Sequence, residues 1–414
     1  MGNKRSMNIR KPEVLAPAGD WERFQFALQY GADAIYLGGK QFTMRAAPAN
    51  FTAEQLAAAV QLAHAKGVKV YLTCNTLPHN ADLPQFLPYL REMAETGIDA
   101  VIVADLGLLA LIRKALPDLE IHMSTQMGIV NYETANALYD LGVKRVVLAR
   151  ELSLEEIAEI RAKTPADLEL EAFVHGAMCV SFSGRCLLSA YLTGRDANQG
   201  ACAQPCRWKY RLMEETRPGQ YFPVEEHDEG TYIMNAKDLC MIDHIPELLA
   251  AGVDSLKLEG RAKSSYYVAV VTNAYRSAVD AYLQQPEGFV LPEWIREEVY
   301  KVSHRGYCTG FFFGKPEAGQ RYTDNSYDRS FDVIAIADDW RDGMLYVTQR
   351  NRFFAEDTVE LLAPERQPIT IPLNGNLFDE TGERITVANH AMMACAFPCP
   401  VEVTKGTIVR KRAE

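Results

Sequence analysis

Gly97-Ile98-Asp99-Ala100-Val101-Ile102-Val103-Ala104-Asp105 is a glycine, a two-residue step and a short run of β-branched and small apolar residues. The same phrase occurs as Gly31-Ala-Asp-Ala-Ile-Tyr-Leu-Gly38 and Gly67-Val-Lys-Val-Tyr-Leu-Thr73. It returns as Gly142-Val-Lys-Arg-Val-Val-Leu-Ala-Arg150 and Gly252-Val-Asp-Ser-Leu-Lys-Leu-Glu-Gly260. A helical stretch precedes each glycine, and a glycine just past a helix end takes the left-handed conformation that closes the helix at little cost. A short, almost continuous apolar run suits a strand covered on both faces. Helix followed by buried strand, repeated, predicts a parallel sheet.

Strands are expected to start near Val14, Ala34, Lys69, Ala100, Glu120, Arg145, Leu168 and Ser255, about eight in all. Amphipathic stretches such as 52–64 separate them. Asn131 and Ser153 stand at N-cap positions, and Glu156 three residues after Ser153 completes a capping box. Eight such units predict an α/β fold of the TIM-type (β/α)8 barrel class. A doubly wound sheet is the alternative, weakened because no Gly-x-Gly-x-x-Gly follows a strand.

The chain leaves this pattern after the seventh strand. Residues 177–230 carry glycines, cysteines and the acidic run Glu225-Glu-His-Asp-Glu-Gly230 without clear periodicity. A long excursion inside a compact domain is usually functional or disordered. This one departs from the C-terminal end of a strand, the face where barrel enzymes place their sites.

Pro286 and Pro292 mark a change of composition, and Ser303-His-Arg-Gly-Tyr-Cys-Thr-Gly-Phe-Phe-Phe-Gly314 reads as a connector with aromatic anchors. Short strands are expected beyond it at Val333, Met344, Thr358, Ile369, Ile385 and Val401, which suggests a small all-β barrel. The expected organisation is a barrel domain at 12–283 with an insertion at 177–240, a connector at 284–330 and the β domain at 331–414. That last segment has 9 Lys/Arg against 13 Asp/Glu and is no basic binding module.

Chemistry concentrates in the excursion. Of nine cysteines, Cys179, Cys186, Cys202, Cys206 and Cys240 fall within it, leaving Cys74, Cys308, Cys395 and Cys399 elsewhere. Thiolates are soft donors, and four converging on one point suit iron–sulfur or zinc. Buried free thiols are the plainer alternative. A disulfide framework fits poorly: the count is odd, the chain long, and Met1-Gly-Asn-Lys-Arg-Ser-Met-Asn-Ile-Arg10 is not a secretion leader. The expected setting is the reducing cytoplasm. No stretch approaches the ~20 apolar residues of a membrane span.

A net charge of −11 over 414 residues argues against a protein that coats nucleic acid non-specifically. A local basic strip can still hold a phosphate backbone on an acidic body. Arg185, Arg195, Arg207, Lys209, Arg211 and Arg217 beside the cysteines form one candidate. Arg410-Lys411-Arg412 forms another, or an ordinary solvated face.

Glu171-x-Phe-x-x-Gly-Ala-Met-Cys-x-x-x-x-Gly-x-Cys-x-Leu-Ser189 resembles the signature of the collagenase-like peptidase family U32. Glu13-Val-Leu-Ala-Pro-Ala-Gly-Asp20, Met44-Arg-Ala-Ala-Pro-Ala-Asn-Phe51, Asn235-Ala-Lys-Asp-Leu-Cys240 and Leu258-Glu-Gly-Arg261 extend the likeness over nearly the whole chain. It is most similar to the branch of tRNA hydroxylation proteins that convert the wobble uridine to 5-hydroxyuridine with prephenate as hydroxyl source. Sister branches hydroxylate a ribosomal RNA cytidine or a quinone precursor, the latter with a related partner subunit. The resemblance implies a 4Fe-4S cluster on Cys179, Cys186, Cys202 and Cys240, with Cys206 as substitute. The spacing itself matches no common ferredoxin run.

The peptidase alternative requires an activated nucleophile or a metal-bound water. The chain has neither His-Glu-x-x-His nor Gly-x-Ser-x-Gly, and Ser181, Ser183 and Ser189 are near His175 in sequence only. For hydroxylation the substrates are a small dicarboxylate and an unstacked base of the tRNA anticodon loop. Carboxylates call for arginine, and Arg45, Arg150 and Arg261 lie at strand ends, with His175 as a proton donor or acceptor. Charge at a helix start for Arg150 and Glu151, and an ion pair between Glu259 and Arg261, are the structural alternatives. Trp208 and Tyr210, interleaved with Arg207, Lys209 and Arg211, fit a splayed-out base; core filling is the other role for Trp208.

Overall fold

The computed structural model describes residues 10–45, 49–179, 181, 186–208, 237–314 and 330–413. The strands in chain order are β1 (Glu13–Ala18), β2 (Ala34–Gly38), β3 (Lys69–Cys74), β4 (Ala100–Val103), β5 (Glu120–Met123), β6 (Arg145–Val147), β7 (Glu169–Ala177), β8 (Asp238–Cys240) and β9 (Ser255–Leu258). Parallel pairing runs without a break from β1 to β7, and β9 closes the ring by pairing with both β1 and β7. Eight parallel strands therefore form a TIM-type barrel, with every expected start within one residue.

Helices α1 (Trp21–Gln29), α2 (Ala53–His64), α3 (Leu83–Ala94), α4 (Leu106–Ala115), α5 (Tyr132–Asp140) and α6 (Leu154–Ala162) alternate with the strands. The excursion holds the short α7 (Leu188–Thr193). Then follow α8 (Ile245–Ala250), α9 (Ser265–Gln284) and α10 (Glu293–Tyr300). Asn131 and Ser153 cap α5 and α6, the latter with the full Glu156 box. The glycines of the repeated phrase have φ between +70° and +93°, so a β-carbon there would strain the turn that ends each helix.

β8 is not a barrel strand. It runs antiparallel to β7 with His175 opposite Cys240, Gly176 opposite Leu239 and Ala177 opposite Asp238. A short β10 (Tyr307–Cys308) lies on its other side. The bond of Arg305 Nη2 to Asp238 Oδ1 (2.6 Å), with both side chains buried, fixes the base of this hairpin.

Apolar side chains pack between the strands and the helices, and a smaller apolar cluster of Leu15, Ala34, Tyr36, Tyr71, Ala100 and Ile102 stands beside an ionic network inside the barrel. Arg145 bonds Glu13 (2.6 Å), Glu169 (2.7 Å) and Glu171 (3.1 Å), and Lys257 bonds Glu171 (2.6 Å). Burial alone would raise the Glu13 carboxyl; the Arg145 charge, with hydrogen bonds from Arg145, Tyr71 and Ser255, outweighs it and holds the group at about 2. Removing one partner from such a buried network costs about 3–5 kcal/mol, because the other charge is left uncompensated.

The C-terminal strands are β11 (Phe331–Arg341), β12 (Met344–Gln349), β13 (Phe353–Phe354), β14 (Thr358–Leu362), β15 (Ile369–Pro372), β16 (Phe378–Asp379), β17 (Val387–Ala388), β18 (Ala394–Pro398) and β19 (Ile408–Arg412). Seven form an antiparallel half-barrel in the order β15-β14-β19-β11-β12-β18-β16, and β13 pairs with β17. Val401-Glu402-Val403, expected as a strand, is irregular. Pro398 and Pro400 ahead of it lack the N–H a ladder needs, so pairing stops at Pro398.

The half-barrel docks on α9 and α10 through a buried ionic joint. Arg410, fully buried, bonds Glu298 (2.6 Å), Glu360 (2.7 Å) and the Tyr266 hydroxyl (3.1 Å), and Lys301 bonds both acids at 2.9 Å. Tyr30 Oη donates to the Leu362 carbonyl at 2.7 Å from the barrel side. Two of the three C-terminal cations are therefore structural, since Lys411 also pairs with Asp357 at 3.1 Å.

Candidate active site

The C-terminal ends of β2, β6 and β9 bring three arginines to the barrel mouth. Nη2 of Arg45 lies 3.6 Å from one oxygen of Glu259, and Nη2 of Arg150 lies 3.9 Å from the other. Arg150 also donates to the Ala177 carbonyl at 3.1 Å and lies 3.9 Å from the centre of the Phe173 ring. Burial alone would raise the Glu259 carboxyl; Arg45, Arg150 and Arg261 together overcome this and hold it below its ordinary value. The expected Glu259–Arg261 ion pair is not the pairing formed. Arg261 is nearly fully buried and donates to Thr43 (2.6 Å), Thr73 (3.0 Å) and Asn50 (2.6 Å).

Burial pushes the Arg261 guanidinium down to about 10. Nε of Arg150 and Nε of Arg261 are buried without a protein partner. Three guanidiniums facing one carboxylate leave a surplus of positive charge above an apolar and aromatic floor, an arrangement that selects small anions. Thr43, Thr73, Asn50 and Phe173 belong to this site and escape the sequence reading. A hydroxyl near the end of a buried strand, as at Thr73, is the signal that marks them.

The excursion lies over the loops after β2 and β3, the first of which carries Arg45. Leu77 N donates to the Asn198 carbonyl at 3.3 Å, and Gln199 Nε2 donates to the Leu77 carbonyl. Gly200 sits so close to the loop after β2 that an added β-carbon would stand 2.6 Å from the Thr43 carbonyl oxygen. Cys179 and Cys202 are exposed, and both add to the field at Arg45. Cys186 is buried and Cys206 half-buried.

Cys240 is on β8, and burial pushes its thiol up to about 12. Five thiols are a soft donor set suited to iron–sulfur in type and number. Their arrangement does not suit it: among the described residues no three His, Cys, Asp or Glu side chains stand close enough to share a metal.

The His175 carbonyl accepts from the Glu259 N–H at 2.9 Å, but its side chain points away from the arginines. The register between β7 and β9 slips between Phe173 and His175, so Phe173 reaches Arg150 while His175 packs against Tyr267 and Tyr275 of α9. A bulge re-aims the side chains that follow it. Burial pushes the His175 imidazole down to about 3, so it is neutral in place. A neutral imidazole opposite Cys240 can accept a proton but holds none to give as an acid, so of the two expected roles only the acceptor remains.

Trp208 is 49% exposed, which is no core placement. The side chain of Arg207, and Lys209, Tyr210 and Arg211 entirely, lie outside the described residues.

The model of the peptidase family U32 matches residues 19–322, and that of the peptidase family U32 C-terminal domain matches 329–410. The chain is 37% identical over 413 residues to the tRNA hydroxylation protein P1 of Bacillus subtilis (strain 168), covering 99% of this chain and 97% of that one. It is 37% identical over 404 residues to the tRNA hydroxylation protein P of Escherichia coli (strain K12), covering 86% and 87%. The 23S rRNA 5-hydroxycytidine C2501 synthase of Escherichia coli (strain K12) is 38% identical over 313 residues, 74% of this chain and 46% of that protein.

Proposed function

Because the chain belongs to peptidase family U32, we propose that it is an RNA-modifying enzyme that hydroxylates tRNA. Its base is the wobble uridine, its product 5-hydroxyuridine and its hydroxyl source prephenate, a small dicarboxylate. The observation that carries this is the mouth itself: Arg45, Arg150 and Arg261 converge around Glu259 beneath a thiol-rich excursion. Two carboxylates entering there replace Glu259 as partners of the arginines, whose planar forks hold them bidentately. Trp208, exposed on the excursion, offers a face on which an unstacked base can rest.

The family likeness would place a 4Fe-4S cluster on Cys179, Cys186, Cys202 and Cys240, with Cys206 as substitute and zinc as the rival metal, and such a cluster would supply redox chemistry. The thiol count supports it; the lack of any three grouped donors among the described residues does not. The reducing cytoplasm suits such a centre. Among the described residues no helix is long and apolar enough to cross a membrane.

Hydrolysis of peptides is less well supported. The cross-strand pair of Cys240 and His175 is the nearest thing to a thiol–imidazole couple. Burial holds that thiol protonated and that imidazole neutral, the opposite of an activated nucleophile. Ser189 Oγ is taken by the Ala203 N–H at 2.9 Å.

Nucleoside mass spectrometry of tRNA from a deletion strain tests the proposal. We expect 5-hydroxyuridine to vanish and to return with the wild-type gene but not with Arg150→Ala. Unchanged tRNA, with an altered rRNA cytidine or quinone pool, would shift the substrate to a sister branch, the quinone case requiring a partner subunit. Iron analysis of anaerobically purified protein tests the cluster separately: one tightly bound zinc and no iron would exclude it.

A further inference from the structure

The joint between barrel and half-barrel holds two clefts that the mouth does not account for. One, of about 560 Å³, is walled by Lys263, Tyr266 and Tyr267 on the barrel and by Phe331, Arg350 and Asn351 on the half-barrel. The other, of about 610 Å³, lies between Tyr300 and Lys301 of α10 and Phe331 and Arg412 of the sheet. Phe331 borders both, so the two are neighbours along one seam. Each volume lies within the ~300–1,000 Å³ of sites that bury a ligand, and domain junctions are where such sites concentrate.

The seam adjoins the mouth through Tyr267. Glu259 and Arg261 stand at the mouth, and Lys263 lines the first cleft two residues further on. Tyr267 Oη donates to the Glu259 carbonyl at 3.1 Å, so one tyrosine touches the strand end on one side and the cleft on the other. The walls are set by the buried Arg410–Glu298–Glu360 joint, which leaves the clefts preformed.

Their chemistry is aromatic and cationic together. Tyr300 is 50% exposed, and Arg412 is exposed with no ion-pair partner among the described residues. Arg350 has only a loose approach to Glu22 at 3.5 Å, itself on the rim. Acids are present too, as Glu297 and Glu360 in the second cleft, but Glu360 is already neutralised by Arg410 and Lys301. Phe331 is buried beneath Lys301 and Arg410 and serves only as wall, so the exposed ring is Tyr300. An exposed ring beside unspent cations fits a single-stranded nucleic acid, whose bases stack on any aromatic face and whose phosphates take the charge.

We infer that this seam binds the single-stranded RNA next to the target base, with a base against Tyr300 and phosphates on Arg350 and Arg412. This rests on the RNA reading of the mouth. It assigns the half-barrel a purpose although its net charge is negative: it contributes one wall of an RNA groove rather than a basic surface.

The test uses the full-length protein and an anticodon stem-loop RNA, read by fluorescence anisotropy across a salt series. Arg350→Gln with Arg412→Gln should weaken binding about tenfold and reduce the salt slope by about two, one for each phosphate no longer held. The stabilisation by a small dicarboxylate should persist in the double variant, which shows that it is folded. Stem-loops carrying 4-thiouridine beside the target base should crosslink to the peptide containing Tyr300. Wild-type affinity and slope in the double variant, with crosslinks elsewhere, would overturn the seam while tRNA modification stood. If the wild-type protein neither binds nor modifies tRNA, the reading of the mouth fails and takes the seam with it.

Discussion

The carboxylate of Glu259 stands 3.6 Å from the guanidinium of Arg45, well beyond the ~2.8 Å of a closely made charge-assisted hydrogen bond. Its 3.9 Å approach to Arg150 is looser still. Glu259 thus neutralises the mouth without saturating its donors, and an anion with better geometry displaces it at small cost.

Glu259→Gln should therefore destabilise the free protein by about 2 kcal/mol, since three guanidiniums lose their shared counter-charge. A dicarboxylate such as malonate should raise the melting temperature of the variant more than that of the wild type. Equal ligand-induced shifts in thermal melts would refute this account of the mouth.

Arg261→Lys keeps the charge but cannot reproduce the fork that reaches Thr43, Thr73 and Asn50. Buried acceptors left unpaired cost about 1–3 kcal/mol each. We expect a loss of about 3 kcal/mol in urea unfolding and at least a tenfold fall in tRNA hydroxylation. Thr73→Val should lose about 1 kcal/mol. Full activity in the lysine variant would make Arg261 a simple charge.

Gly176→Ala should disrupt the mouth from behind. Gly176 has φ +107°, and an added β-carbon would stand 2.6 Å from the Glu259 carbonyl oxygen, a backbone atom with no room to retreat. Expected are a loss of at least 2 kcal/mol and weaker dicarboxylate binding, read by calorimetry. A variant with wild-type ligand affinity would show that the β7–β9 pairing does not position Glu259.

Acid should destabilise the fold in two windows. His175 has its imidazole pushed down by burial to about 3 from an ordinary 6.5. The unfolded chain then binds the extra proton first, and stability falls by up to about 1.4 kcal/mol per pH unit from about 6.5 toward 3. Glu13, held at about 2 against an ordinary 4.5, contributes about 3 kcal/mol above pH 4.5 that is lost as pH falls through 2. His175→Gln should flatten the first window in urea unfolding between pH 4 and 7; an unaltered slope there would acquit the histidine.

The barrel is legible in the sequence because five of its eight strands are buried apolar runs that follow a glycine closing the preceding helix, a pattern that depends on local chemistry alone. The arginines are legible because a strand end fixes which face a following residue joins. Their partners are not, since Arg261 meets Thr43 and Asn50 through a loop whose path depends on tertiary packing. The surroundings of His175 are hidden for a similar reason: the register slip between Phe173 and His175, which turns its ring toward α9, leaves no mark in the sequence. Arg145, Glu171 and Lys257 do leave one. Charged residues inside otherwise apolar strands announce an ionic network inside the barrel, a signal that a search for apolar runs alone passes over.

The pairing of Ala177 with Asp238 has a consequence for how such a chain can diversify. Sixty residues leave the barrel at one partner and return at the other, so their two ends are held a single strand spacing apart. Whatever lies between can lengthen, shrink or be exchanged for a different sequence without shifting any rung of the closed ring. The excursion is a cassette on a fixed socket. A graft of a relative's segment between those two positions should carry its substrate preference onto this scaffold, with the arginine mouth beneath serving as the common floor.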